Sequence, residues 1–181
     1  PDDLGAAITE ALLTTDAVVT DVGSIKSRPL AEVRAGVPPV ELARYVGGHP
    51  MAGSERSGPL AASVTLFEGR PWALAAHATS SAAAVALVRE LVDVCGAVPL
   101  EYTPEEHDRA VARVSHLPHL MSSLTAGRLA GAPDDHLALS GQGVRDVTRI
   151  AASDPALWKQ IITGNAEALL ELLDDVASRL A

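Results

Sequence analysis

The sequence predicts an α/β half followed by an all-helical half, with the boundary near residue 102. Three observations carry that expectation. First, a helical period of apolar residues, a short β-branched run and a Gly-containing loop succeed one another up to Ser24, the pattern of half a doubly wound sheet. Second, three more strand candidates and an Ala-rich helix follow as far as Leu100. Third, only helical patterns are found beyond Thr103.

Each element has a local reason. Asp2 and Asp3 sit where a helix N-terminus favours acidic groups, and Leu4, Ile8, Leu12 and Leu13 then recur close to a helical period. Ala17-Val18-Val19-Thr20 reads as a short buried strand that ends at Asp21-Val22-Gly23-Ser24. Arg44-Tyr45-Val46-Gly47 and Pro71-Trp72-Ala73-Leu74 are further strands, separated by a Gly-rich polar stretch from Gly47 to Gly58. Residues 80–95 predict an Ala-rich helix entered at Ser80 or Ser81, and Ala97-Val98-Pro99-Leu100 predicts the last strand. Thr103, Pro104 and Glu106 make a capping box with Pro at the first helical position. The helix they open should run to about residue 130, kinked at Pro118 with a backbone carbonyl freed one turn back. A last helix should open at Ser153-Asp154-Pro155 and carry the stripe Trp158, Ile161, Ile162, Leu169, Leu172, Leu173, Val176 and Leu180.

Composition narrows the function. The 181 residues are 48% hydrophobic and 20% charged, enough for one core or two small ones. Lys+Arg 14 against Asp+Glu 23 leaves a formal charge of -9, which argues against nucleic acid or an anionic membrane as partner. An anionic substrate would then need a local basic pocket. Cys95 is the only cysteine, so no intrachain disulfide forms and a reducing cytoplasm fits. The sequence has no apolar run long enough to span a bilayer. It opens at Pro1 on a helix, which suggests that a preceding segment is missing.

Three clusters can carry chemistry. Asp21-Val22-Gly23-Ser24-Ile25-Lys26 lies at a strand's carboxyl end, where open α/β sheets bind ligands; taken alone it reads more readily as a strand-to-helix turn capped by Ser24. In Gly47-Gly48-His49-Pro50-Met51-Ala52-Gly53-Ser54-Glu55, a histidine stands between Gly-Gly and Pro at another strand end. Histidine suits a general base because its ordinary pKa lies near neutrality, although most single histidines are simply hydrogen-bonded in a core. The third cluster pairs Ser115-His116-Leu117-Pro118-His119 with Arg145-Asp146-Val147-Thr148-Arg149. His116 and His119 share a helical face, a spacing that also suits a metal, but no third ligand stands at a fixed offset and no metal is expected. Arg145 and Arg149 can supply a forked cation for a carboxylate, or merely a surface pair with Asp146.

Taken in order, these clusters, with Thr20 before the first of them, His107-Asp108, Ile150-Ala151, Ser153-Asp154-Pro155 and Trp158, resemble the prephenate dehydrogenase family over essentially the whole chain. The resemblance implies a partial Rossmann-type nucleotide-binding domain over 1–102 and a helical substrate-binding and dimerisation domain over 103–181. It implies NAD or NADP as cofactor, prephenate or arogenate as substrate, a homodimer and a cytoplasmic site. Family members carry a Rossmann strand and a Gly-rich loop upstream of the position of Pro1, so the polypeptide is expected to lack the pyrophosphate grip and to turn over little by itself.

The roles that follow belong to the resemblance. His49 would take the C4 hydroxyl proton as hydride leaves, with Ser24 beside it. Arg149 would pair with a substrate carboxylate, and it would be buried. His116 and His119 would line the substrate pocket, Ser54 and Glu55 would stand on its rim, Trp158 would reach the pocket of the other subunit, and Asp21, Gly23 and Ser24 would meet the cofactor. Two rival readings are a dimeric binding module without turnover and a histidine-based metal hydrolase.

Overall fold

The computed structural model describes residues 2–53 and 62–181. Its sheet has the order β1 (Val19–Thr20), β2 (Tyr45–Pro50), β3 (Pro71–Ala75) and β4 (Val98–Tyr102). β1 and β2 are parallel, as are β3 and β4, whereas β2 and β3 run antiparallel with His49 opposite Ala73. Successive strand residues point to opposite faces, and β2 shows this in its first two positions. Tyr45 joins a core with Ile8, Leu12, Leu30 and Val33, while Val46 joins a second core with Trp72, Leu74, Val88 and Val92. Both faces are therefore covered, and the middle of the sheet is buried.

The first core is made by α1 (Leu4–Thr14), α2 (Ser27–Gly36) and α3 (Pro39–Leu42). Ile8 and Leu12 of α1 point inward as the period requires, but Leu13 is exposed. α2 follows the strand-to-helix turn expected at Ser24, but its N-cap is Lys26 and no side chain caps it, whereas α3 lies in a stretch for which no helix was expected. The second core is closed by α4 (Ala82–Val94), where Ser81 caps by accepting from the Ala84 N–H.

The helical half begins with α5 (Pro104–Val111), whose capping box forms as expected: Thr103 accepts from the Glu106 N–H, and Glu106 accepts from the Thr103 N–H. Pro118 does not produce a simple kink. Residues Ala112–His116 widen into a turn of π-helix before α6 (Leu117–Leu129). Pro118 has no N–H for the carbonyl four residues back, and its ring crowds that carbonyl; widening the turn relieves both. α7 (Asp134–Leu137), α8 (Gln142–Thr148) and a 3₁₀ turn at Arg149–Ala152 follow.

The long C-terminal helix is in fact two, α9 (Pro155–Gly164) and α10 (Ala166–Leu180). Asn165 breaks it with φ -126 and ψ 34, and its side chain turns into the interior. Of the expected stripe, Ile161 and Leu169 are buried, Leu172, Leu173 and Val176 are half-buried, and Leu180 is exposed. Among the described residues no helix is long and apolar enough to cross a membrane.

Candidate functional site

β1 and β2 are parallel, and the loop leaving the carboxyl end of β1 lies against Gly48 toward the carboxyl end of β2, the edge at which α/β sheets bind ligands. Here they open on a cavity of about 430 Å³, with Ser24 and His49 on the sheet side. Ser115, His116, His119, Arg149, Trp158 and Ile161 close it from the helical side. The volume is within the ordinary range for a small-molecule site.

Gly47 and Gly48 let His49 reach this position. A Cβ on Gly48 would be driven into the carbonyl oxygen of Asp21, and one on Gly47 would lie 2.9 Å from Lys26 Cδ. β2 therefore packs directly on the loop that follows β1. That loop is held by Asp21, whose Oδ1 accepts from the Gly23 N–H at 2.7 Å and pairs with Lys26, and whose Oδ2 accepts from Tyr45 Oη at 2.8 Å. The Gly48 N–H lies 3.3 Å from the same Oδ2, and Lys26 Nζ also donates to the Gly48 carbonyl at 2.7 Å. Both oxygens of Asp21 are engaged, and they fasten the loop. Burial lowers the pKa of Lys26, and the adjacent Asp21 partly offsets that fall.

Behind His49 runs a chain of buried polar groups. His49 Nδ1 lies 2.9 Å from His107 Nε2, and His107 Nδ1 lies 2.8 Å from Asp108 Oδ1. The Asp108 carboxylate also accepts from the N–H groups of Lys26 and Ser27, each at 2.8 Å, at the start of α2. Burial alone would raise the Asp108 pKa, but the hydrogen bonds from His107, Ser27 and Lys26 outweigh it and hold the carboxyl below its ordinary value. On the other wall, Asn165 Nδ2 donates to the Asp108 carbonyl at 2.7 Å and lies 3.1 Å from His116 Nδ1.

Burial pushes His49 down to about 3, helped by the neighbouring His107, Lys26 and His116 and opposed by Asp108. His116 falls to about 4, again chiefly by burial, and burial also lowers His119. The three histidines facing the cavity are thus neutral near pH 7. A neutral imidazole can accept or donate one proton, and its partners decide which.

The structure also places the remaining candidates. Trp158 lies in this chain's own cavity, stacked on His119 with ring centroids 3.4 Å apart and planes 4° apart. α9 carries it back against the helix that holds His119. Arg149 lines the cavity, yet it is exposed, because α8 and the 3₁₀ turn that present it bury no residue of their own. Arg145 is exposed and is not part of the cavity wall. Ser54 and Glu55 lie outside the described residues. Among the described residues no group of three or more His, Cys, Asp or Glu is arranged to hold a metal.

His107, Asp108 and Asn165 were not singled out for a role by sequence. A signal for the first two exists: Pro104, His107, Asp108 and Val111 are the buried residues of α5, at the spacing of an apolar helical stripe. Polar residues at core positions must be paired, and two adjacent ones announce a buried network.

An α/β unit joined to an all-helical unit, with histidines from both facing one cleft, is the class of protein that fold and site define. The family model described as the nucleotide-binding domain of prephenate dehydrogenase matches residues 5–101, and the one described as its dimerization domain matches residues 103–181. The chain belongs to the prephenate dehydrogenase family. A probable prephenate dehydrogenase of Streptomyces niveus is 39% identical over 142 residues, which are 78% of this chain and 39% of that protein. The crystal structure of prephenate dehydrogenase from Aquifex aeolicus with hydroxyphenyl propionate and NAD+ superposes with a TM-score of 0.88 at 30% identity, over 99% of this chain and 63% of that one. Arogenate dehydrogenase of Synechocystis gives a TM-score of 0.81 at 29% identity, over 99% of this chain and 66% of its own. The chain thus spans less than two thirds of the length of each of these relatives.

Proposed function

We propose that this chain supplies the substrate pocket and the proton-accepting group of an NAD- or NADP-dependent dehydrogenase that oxidatively decarboxylates prephenate, or its amino counterpart arogenate. The observation that carries the reading is His49: a half-buried imidazole at a strand end, with Nδ1 engaged by His107 and its ring lining the cavity that Ser24 also lines. Relatives named for each substrate support both alternatives equally.

In this reading His49 Nε2 takes the proton of the C4 hydroxyl while the hydride on C4 departs. When bound, nicotinamide supplies the hydride acceptor. The resulting dienone loses CO2 and becomes aromatic, so the chain's remaining task is alignment. Arg149 at the open rim meets a substrate carboxylate, and Trp158 with His119 forms a flat wall for the ring. The adjacent ends of β1 and β2 suit a nicotinamide, because Ser24 and His49 are the polar groups they present there. The 181 residues contain no Gly-x-Gly-x-x-Gly, so a grip on the cofactor's pyrophosphate is not among the features they supply. A homodimer built through residues 103–181 and a cytoplasmic site complete the proposal; the dimerization-domain match supports the first, and a lone cysteine agrees with the second.

The test is His49→Asn in the full-length protein. Binding should persist while kcat falls by about 10²–10⁴, the usual contribution of a general base. A variant that keeps its rate places the base elsewhere, and His119 becomes the next candidate.

A further inference from the structure

We propose that Asp108 is a positioning residue that sets the proton polarity of the cavity's two principal histidines in opposite senses, leaving His49 Nε2 bare and His116 Nε2 protonated. The proposal rests on the reading of His49 as base and adds what makes it one.

The argument follows the hydrogens. The Asp108 carboxylate can only accept, and it already accepts from the backbone N–H groups of Lys26 and Ser27. His107 Nδ1, at 2.8 Å from Oδ1, must therefore carry a proton. With one proton on the His107 ring, its other nitrogen, Nε2, is a lone pair. His49 Nδ1 faces it at 2.9 Å, so His49 donates there and keeps its own proton on Nδ1. The nitrogen left for the cavity is the unprotonated one. When His49 accepts a proton, its Nδ1–H still has its acceptor, and the new positive charge lies at the end of a chain terminated by a carboxylate.

A second branch starts from the same residue. The Asp108 backbone carbonyl can accept but not donate, so the Asn165 atom 2.7 Å away is the amide nitrogen. That nitrogen has a second hydrogen directed at His116 Nδ1, at 3.1 Å, which therefore accepts. The His116 proton must sit on Nε2. The cavity thus offers an acceptor from the sheet side and a donor from the helical side, fitted to a hydroxyl that must lose a proton and to an oxygen that must keep an acceptor role. Both polarities trace to Asp108, through its side chain in one case and its carbonyl in the other. Among the described residues, Lys26 near His49 is tied to Asp21 and Gly48, and His119 near His116 is stacked on Trp158.

The test reads proton location directly. In the full chain with ¹⁵N-labelled histidine at pH 7, long-range ¹H–¹⁵N correlation should show His49 as the Nδ1–H form and His116 as the Nε2–H form. In Asp108→Asn an amide facing His107 can donate, which reverses His107 and shifts His49 toward Nε2–H. In the full-length protein kcat should then fall by about 10²–10⁴ with KM changed less than threefold, as expected when a base is held in the wrong tautomer. Should that variant not fold, His107→Phe leaves the contacts of Asp108 with α2 intact and should also raise the Nε2–H population of His49. Finding His49 as Nε2–H in the unaltered protein overturns the proposal. So does a kcat loss in either variant with no change of tautomer, because Asp108 would then be only structural. A His49→Asn variant of full activity would instead overturn the reading of His49 as base, while leaving the measured proton positions in place.

Discussion

Lowering the pH from 6.5 to 5 should destabilise the protein by charging histidines that its fold keeps neutral. His49 is held down to about 3 and His116 to about 4, chiefly by burial, whereas in the unfolded chain each titrates near its ordinary value. Between those limits the unfolded state binds a proton that the native state refuses, so stability is lost as pH falls below about 6.5 and the loss ends only near the native pKa values. Each histidine contributes up to about 1.4 kcal/mol per pH unit, or about 1.5 kcal/mol from pH 6.5 to 5, since the unfolded group is half protonated at the start. The pair therefore accounts for about 3 kcal/mol, somewhat less if the two are coupled through His107. Most unfolded-state carboxylates titrate below this interval, which keeps them from dominating. Urea unfolding at the two pH values measures the difference, and the double variant His49→Asn, His116→Asn should show a pH loss smaller by about 3 kcal/mol. His77 and His119, also lowered by burial, contribute equally to both proteins and cancel. If the double variant loses as much stability as the unaltered protein, the histidines are not held neutral and the reasoning fails.

Three further outcomes follow from particular contacts. Gly48→Ala should cost about 1–3 kcal/mol, read from the urea midpoint, because its Cβ has to displace the Asp21 backbone; an unchanged midpoint would mean that β2 can move off the loop freely. Arg149→Lys should raise KM roughly fivefold with kcat nearly constant, since an exposed lysine keeps the charge but loses the fork. An unchanged KM in steady-state kinetics would assign the carboxylate to another cation. Light scattering at tens of micromolar should report a dimer, the exposed Leu170 and Leu180 and the half-buried Leu172, Leu173 and Val176 forming an apolar face on α10; a monomer would remove the homodimer from the proposal.

Features written in neighbouring residues were legible beforehand. The capping box at Thr103 and the Ser81 cap each involve residues within three positions of one another, so spelling and structure coincide. His49 and Ser24 could be singled out because glycines punctuate the strand ends that carry them. What escaped was the identity of partners across the fold. His49 and His107 are 58 positions apart, and Asn165 is 57 from Asp108; hydrophobic period tells which face of an element is inside but not which polar group waits there. Pro118 marked the right place for an irregularity without saying whether the helix would bend or widen, since both outcomes relieve the same missing donor. The break at Asn165 was hidden for a related reason: the apolar stripe runs on through α9 and α10, and only the buried amide reveals why the chain stops there.

The chain from Asp108 to His49 crosses between the two halves of the molecule, with His49 on β2 and both His107 and Asp108 on α5. On the proposed reading, joining the halves does more than enclose a substrate; it sets the proton position on the reactive nitrogen. If the helical half swung away, His49 Nδ1 would face water and the ring could take either tautomer, with no carboxylate behind it to receive the charge. On that reading the same residues would make a poorer base, and the fit of one half against the other becomes a condition of reactivity.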